Sequence, residues 1–167
     1  MRKRIGGLVL TAVLVGFAAP AGAQDAGIPV GSKAPSVSVH DLDGKPVDLG
    51  QYIGKKPVLL EFWATWCESC QQLLPRVRAA HAAYGKQVEF IGVNIAVNQT
   101  PERVRSYLET ESPPFRTLYD DEGNSTRAYQ VPATSYVVIL DRSGLVVYTG
   151  SGGTQTFDRA LRQVTTH

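Results

Sequence analysis

The chain has 167 residues, 43% hydrophobic and 19% charged, with a formal net charge of +2 and two cysteines. That length fits one domain with a core of its own, and the near-neutral balance without a basic stripe argues against nucleic acid as a partner. Two cysteines exclude a stapling framework of several disulfides and a four-thiolate zinc site.

The N-terminus reads as an export signal. Arg2, Lys3 and Arg4 precede an apolar run from Ile5 to Ala19 that is interrupted by Gly6, Gly7 and Gly16 and is short for a membrane span. Ala21-Gly22-Ala23 then places small residues for cleavage before Gln24. A signal peptide over 1–23 is expected, with an uncleaved anchor as the alternative, and no cysteine lies near the cleavage point to carry a lipid. Its removal leaves 14 of the 17 basic residues against 15 acidic ones. The expected location is periplasmic or otherwise extracytoplasmic.

Residues 24–35, rich in Gly, Pro and Ala, read as a linker ahead of a domain over 36–167. Val37 and Val39 alternate with polar neighbours before Asp43-Gly44, which predicts a hairpin over 36–49. Pro57 to Trp63 is a dense apolar run, as in a strand buried on both faces. A helix is expected from Cys67 to Tyr84, with Leu73, Leu74, Val77 and Ala80 on one side and Pro75 kinking it. A strand follows over Val88 to Ile95. Thr100-Pro101-Glu102 then opens a helix that ends near Glu111, before Pro113-Pro114. A short strand over 115–119 and a short helix over 124–129 lead to a hairpin of Tyr136–Leu140 and Leu145–Thr149. Phe157, Leu161 and Val164 line a closing helix. This order predicts an α/β sandwich with a mixed central sheet flanked by helices.

The chemistry-bearing motif is Trp66-Cys67-Glu68-Ser69-Cys70, a Cys-x-x-Cys pair between the apolar strand and the first long helix. At a helix N-terminus the first cysteine meets unpaired N–H groups and the positive end of the helix dipole, which favours its thiolate. The second lies a turn on, close enough to attack a mixed disulfide. Cys67 is therefore the expected exposed nucleophile, Cys70 the resolving thiol, and the pair a redox-active disulfide needing no other cofactor. A bridge closing so short a loop would constrain the unfolded chain little, which argues against a purely structural role. No metal site is expected. His40 and His81 have no cysteine, carboxylate or second histidine at ligand spacing and read as solvated surface residues. Trp63 reads as core and Trp66 as active-site rim. Asn98-Gln99-Thr100 and Asn124-Ser125-Thr126 match glycosylation sequons, a pattern common by chance.

From Val30 to Val164 the chain resembles the exported thioredoxin-like reductases of the TlpA, ResA and CcmG type. Val30-Gly31-Ser32-Lys33-Ala34-Pro35 with Asp43-Gly44-Lys45-Pro46-Val47 is similar to the family's N-terminal hairpin. Phe62-Trp63-Ala64-Thr65-Trp66-Cys67 is close to its active-site signature, and Pro75 lies where thioredoxins carry a helix proline. Residues 96–130 look like its central helix-bearing insertion. The resemblance implies a thioredoxin-like fold, disulfide-containing protein substrates, a membrane thiol transporter as electron donor, and a part in cytochrome c maturation or the reduction of a metalloprotein's cysteine pair. A monomer is expected.

Three positions depart from that pattern or carry weight within it. Ser69 stands where the family often has proline, restoring a backbone N–H near the thiolate, while Glu68 brings an opposing charge. Glu61 lies six residues before Cys67, where thioredoxins keep a buried carboxylate; burial would raise its pKa and suit it to exchange a proton with Cys70. The thioredoxin lysine that often accompanies that carboxylate is missing, since Gly92-Val93-Asn94-Ile95 occupies its strand. Finally, a gapless alignment from Tyr129 to Gly144 puts Ser135, with Thr134, at the family's cis-proline position, whereas a shifted register would bring Pro132 there. With serine in place, the backbone could still pair with an extended substrate.

Two other functions remain as alternatives. A thiol peroxidase is disfavoured, because a Pro-x-x-x-Thr-x-x-Cys frame would need proline and threonine where Leu60 and Ala64 stand. A copper(I) metallochaperone would use the two soft thiolates but lacks a well-placed third ligand.

Overall fold

The computed structural model describes residues 27–166, so the expected signal segment lies outside them. The described strands are β1 (Ser38–His40), β2 (Pro46–Asp48), β3 (Val58–Trp63), β4 (Glu89–Ile95), β5 (Arg116–Asp120), β6 (Tyr136–Leu140) and β7 (Val146–Ser151). They form one sheet in the order β2-β1-β5-β4-β3-β6-β7, in which β5, β4 and β3 run parallel and the other pairings are antiparallel. The helices are α1 (Glu68–Tyr84), α2 (Pro101–Glu111), α3 (Asn124–Ala128) and α4 (Asp158–Thr165). This is the thioredoxin-like α/β sandwich, with β1–β2 as its N-terminal hairpin and α2, β5 and α3 filling the central stretch.

Every residue of β3 is buried, because it lies in the middle of the sheet with both faces covered. Val58, Leu60 and Phe62 pack on one side with Ile91, Val93, Val138 and Tyr129. Leu59 packs on the other with Leu73 and Val77 of α1 and with Phe157, Leu161 and Val164 at α4. A third cluster sits past the C-terminal end of β3, where Trp63, Cys67 and Cys70 meet Val104 of α2 and Tyr119 of β5. Parallel strands feeding helices at that edge leave loops and helix N-termini converging there, which is where such sheets place ligands.

The linker expectation fails from Gly27 onward. Ile28 is buried, its N–H donates to Tyr129 O at 3.1 Å, and Gly31 and Ser32 exchange backbone bonds with Val146 at 2.7 and 2.9 Å. A Gly- and Pro-rich composition does not stop a backbone from pairing with an edge strand, and here it covers β7. Helix α1 continues through Pro75 as a single 17-residue element. Thr100 caps α2 by accepting Arg103 N–H, and Thr126 donates its hydroxyl to Asp120. Both sequon hydroxyls thus serve local structure.

Candidate functional site

Cys67 is the N-cap of α1. Its Sγ accepts the N–H of Cys70 at 3.1 Å, and its carbonyl accepts from Cys70 and Gln71. The two cysteines are joined in a disulfide with their Cα atoms 5.2 Å apart. The geometry follows from position: the first turn of a helix has N–H groups without intrahelical partners, and the sulfur takes one of them. Ser69 Oγ lies 3.4 Å from Cys67 Sγ, and Glu68 is exposed. The expected exposure of Cys67 is not seen in this oxidised form. Cys67 is 3% and Cys70 4% exposed, because both pack with Trp63, Val104 and Tyr119.

The loop joining β3 to α1 is tied down by a residue that sequence reasoning missed. Gln99, 34 positions away, accepts Thr65 N–H on its Oε1 at 3.0 Å, and its carbonyl accepts the Tyr119 hydroxyl at 3.0 Å. No local pattern marks Gln99; a polar residue 8% exposed in a long connection is its only signal, and that needs coordinates. Trp66 is 50% exposed and donates its indole N–H to Val97 O, itself an exposed apolar residue, so a two-residue apolar ledge flanks the disulfide. On another side Gly153 lies against α1 so closely that a Cβ there would sit 2.9 Å from Ser69 O.

Glu61 is 2% exposed on the β3 face that carries Leu59 and Trp63, between the α1 cluster and the cysteine cluster. Burial alone lifts its carboxyl from about 4.5 to about 8, because the charged form loses its hydration with no partner to replace it. Its Oε2 has no hydrogen-bond partner among the described residues.

The stretch before β6 joins β3 through Ser135. Ser135 N–H donates to Phe62 O at 2.9 Å and extends the β3–β6 ladder by one bond, which proline could not do. Among the described residues no peptide bond is cis, and Ser135 sits in the left-handed region at φ 64°. Pro132 is exposed, and Thr134 is half-buried. Ser135 O is also engaged, by Gly152 N–H and by Gln155 Nε2 at 2.8 Å, so this residue's backbone is not free to add a substrate strand.

Of the histidines, His81 is exposed, with its ring edge-on to Phe90. His40 departs from expectation: Asp121, 81 positions away, lies 2.7 Å from its Nδ1. That hydrogen bond raises the imidazole above its usual range.

A thioredoxin-type sandwich with a Cys-x-x-Cys disulfide capping the helix after its central strand defines a thiol–disulfide oxidoreductase, which acts on disulfide-containing substrates. Residues 29–164 match the Redoxin family, and the chain belongs to it. It is similar to the thioredoxin-like protein YneN of Bacillus subtilis, 30% identical over 152 residues, 87% of this chain and 88% of that one. The thiol-disulfide oxidoreductase ResA of Geobacillus kaustophilus is 31% identical over 140 residues, 82% of this chain and 79% of its own. Among solved structures, a Chlorobium tepidum chain described as a thiol:disulfide interchange protein, DsbE, superposes with TM-score 0.68 at 28% identity, covering 81% of this chain and 94% of that one.

Proposed function

We propose that the protein is exported and works as a reductant, cleaving disulfides in proteins outside the cytoplasm. Cysteine pairs formed during cytochrome c maturation, or those of another metalloprotein, are the substrate class. The observation that carries the reading is Cys67 Sγ at the start of α1, accepting a backbone N–H, with Cys70 one turn in and Glu61 buried on the strand that leads to them. A thiolate at that sulfur gains the donor and the helix dipole.

In the reductive half-cycle the Cys67 thiolate attacks one sulfur of the substrate disulfide. That bond breaks, and the departing substrate thiolate takes a proton from solvent. Cys70 gives its proton to Glu61 and attacks Cys67 Sγ, so the second substrate sulfur leaves as thiolate and is protonated in turn. The substrate gains two electrons and two protons, and the protein holds the disulfide seen here. Trp66, Glu68, Ser69 and Thr134 border the encounter, with Pro132 and Ser135 shaping the loop behind them. The disulfide is the whole redox group, with no added cofactor or metal, and the protein acts as a monomer. Export by the N-terminal segment cuts it off from cytosolic thiols, so a membrane thiol transporter resupplies the electrons. No described helix is long and apolar enough to cross a membrane.

Equilibration against glutathione of known potential, with thiol counting, tests the direction. The expected reduction potential lies below about −200 mV, and a value near about −120 mV would make the protein an oxidant. In cells, Cys70→Ala should strand extracytoplasmic substrates on Cys67 as mixed disulfides.

A further inference from the structure

Two consecutive residues ahead of the nucleophile are held by one short connection. The chain between β4 and α2, residues 96–100, accepts the Thr65 N–H on Gln99 Oε1 at 3.0 Å and the Trp66 indole N–H on Val97 O at 2.8 Å. Thr65 and Trp66 lie inside the turn that Cys67 N–H closes by donating to Ala64 O at 3.2 Å. That turn delivers Cys67 to the head of α1 with extended dihedrals, φ −83° and ψ 104°, and with its Sγ on the Cys70 N–H.

The connection is itself braced. Asn98 takes the left-handed region at φ 54°, which asparagine tolerates better than most side chains. Its carbonyl accepts Gln99 Nε2 at 2.8 Å and Arg103 Nη1 at 3.0 Å. A carbonyl can only accept, so the Gln99 carboxamide is fixed with Oε1 toward Thr65, and Asn94 Nδ2 lies 3.5 Å from that same oxygen. Gln99 N–H donates to Ala96 O at 3.1 Å, and Gln99 O accepts the Tyr119 hydroxyl from β5 at 3.0 Å. Each polar atom of Gln99 thus has a partner. Apolar packing around the disulfide comes from Trp63, Val104 and Tyr119, so what the carboxamide adds is an acceptor aimed at one N–H of the active-site turn.

We infer that Gln99 is a positioning residue for disulfide exchange: by holding Thr65 it keeps the turn, and with it Cys67 Sγ, in register with the Cys70 N–H. The inference rests on Cys67 being the attacking thiolate. That anion is favoured while its sulfur meets the N–H and the positive end of the helix dipole. Without an acceptor at residue 99 the Thr65 N–H turns to water, the turn shifts, and the sulfur spends less time on its donor. Gln99 touches no reacting atom and acts through Thr65. The titratable groups around Cys67 are Cys70 and Glu68 on α1, Tyr107 on α2, Tyr119 on β5 and Glu61 on the strand that leads to it, while Arg103 reaches the connection itself. Replacing Gln99 alters the charge of none of them.

The test uses the full chain in its reduced form and a synthetic disulfide peptide. Gln99→Leu keeps the bulk of the side chain and removes the acceptor. It should raise the Cys67 thiol midpoint, read from thiolate ultraviolet absorbance. At neutral pH it should lower the Cys67 alkylation rate and kcat/KM together, several-fold, and both should recover once pH exceeds the new midpoint. Tyr119→Phe keeps the ring against the disulfide and drops only the bond to Gln99 O, so a smaller shift in the same direction is expected. A purely structural Gln99 would lower thermal stability and leave the thiol midpoint and pH–rate profile where they were; that result in Gln99→Leu overturns the inference. Should Gln99→Leu not fold, an unshifted midpoint in Tyr119→Phe overturns it instead. Wild-type protein in which Cys70 is alkylated before Cys67 would remove the nucleophile reading itself, and the positioning role with it.

Discussion

On β3, Val58, Leu60 and Phe62 turn to one side of the sheet and Leu59, Glu61 and Trp63 to the other, and all six are buried. The β3 side chains on the first side are all apolar and close on Ile91, Val138, Tyr129 and Tyr136, with Phe62 tilted between the two tyrosine rings at 5.5 and 6.1 Å and the Tyr136 hydroxyl buried without a partner. Each fully buried side chain there contributes roughly 1.5–3 kcal/mol by leaving water. The second side breaks that pattern at Glu61 and Trp63, whose buried polar atoms have no partner. Backbone, depth and neighbouring strands are shared, so the difference lies in side-chain chemistry alone. Both faces bury apolar side chains, and the second also carries groups that cost stability and border the disulfide.

The sharpest break in that comparison removes a sulfur. Cys67→Ser should abolish disulfide turnover while leaving the fold intact, since neither face of the sheet loses packing; loss of cooperative thermal unfolding would show that the bridge is needed for folding. Next comes Phe62→Ala on the apolar face, with an expected cost of about 3–5 kcal/mol in denaturant titration. A cost well under about 1 kcal/mol would mean that this face does not carry the core.

Glu61→Gln sharpens the contrast through pH. The unfolded carboxyl ionises near 4.5 and the folded one near about 8, so folding favours the bound proton. That contribution is fully present below about pH 4.5 and is lost as pH rises through about 8. The oxidised protein should therefore lose stability across this window, by an amount of order a few kcal/mol, and Glu61→Gln should flatten the slope. In turnover, the same variant should slow disulfide reduction, positioned acid–base groups contributing on the order of 10²-fold or more. A parallel pH–stability curve for both proteins would place Glu61 in contact with water.

Much of this contrast is readable in the sequence because it is local. Pro57 to Trp63 is apolar enough to announce a buried strand, and Glu61 stands out as the one charge within it. The cysteine spacing and the helical pattern behind it mark the redox site without coordinates. Other features depend on tertiary contacts that no spacing reports. The Gln99–Thr65 bond spans 34 positions, and Tyr107 reaches Trp63 only because α2 folds back over the end of β3. The segment from Gly27 to Pro35 reads as linker by composition, yet its backbone finds partners on β7. The burial of the oxidised pair against Val104 of α2 and Tyr119 of β5 is likewise a tertiary feature that the motif does not encode.

The smallest expected effect lies far from both faces of β3, at His40. Its Nδ1 meets Asp121 at 2.7 Å, tying the hairpin strand β1 to the turn after β5, and both side chains keep contact with solvent. The hydrogen bond to Asp121 raises the histidine above 6.5, and the charged form adds an ion pair with the carboxylate that the neutral ring lacks. The attraction is thus present below the ordinary histidine value and fades as pH rises past the raised one. For exposed groups in salt, such a pair stabilises the fold little. NMR titration of His40 should give a midpoint above 6.5, and Asp121→Asn should return it toward that value without measurable change in turnover at neutral pH. An unshifted midpoint in the unmodified protein would mean that the pair is not held in solution. A change in turnover would tie this turn to the redox site, and the separation between a solvated surface pair and the buried groups on β3 would no longer hold.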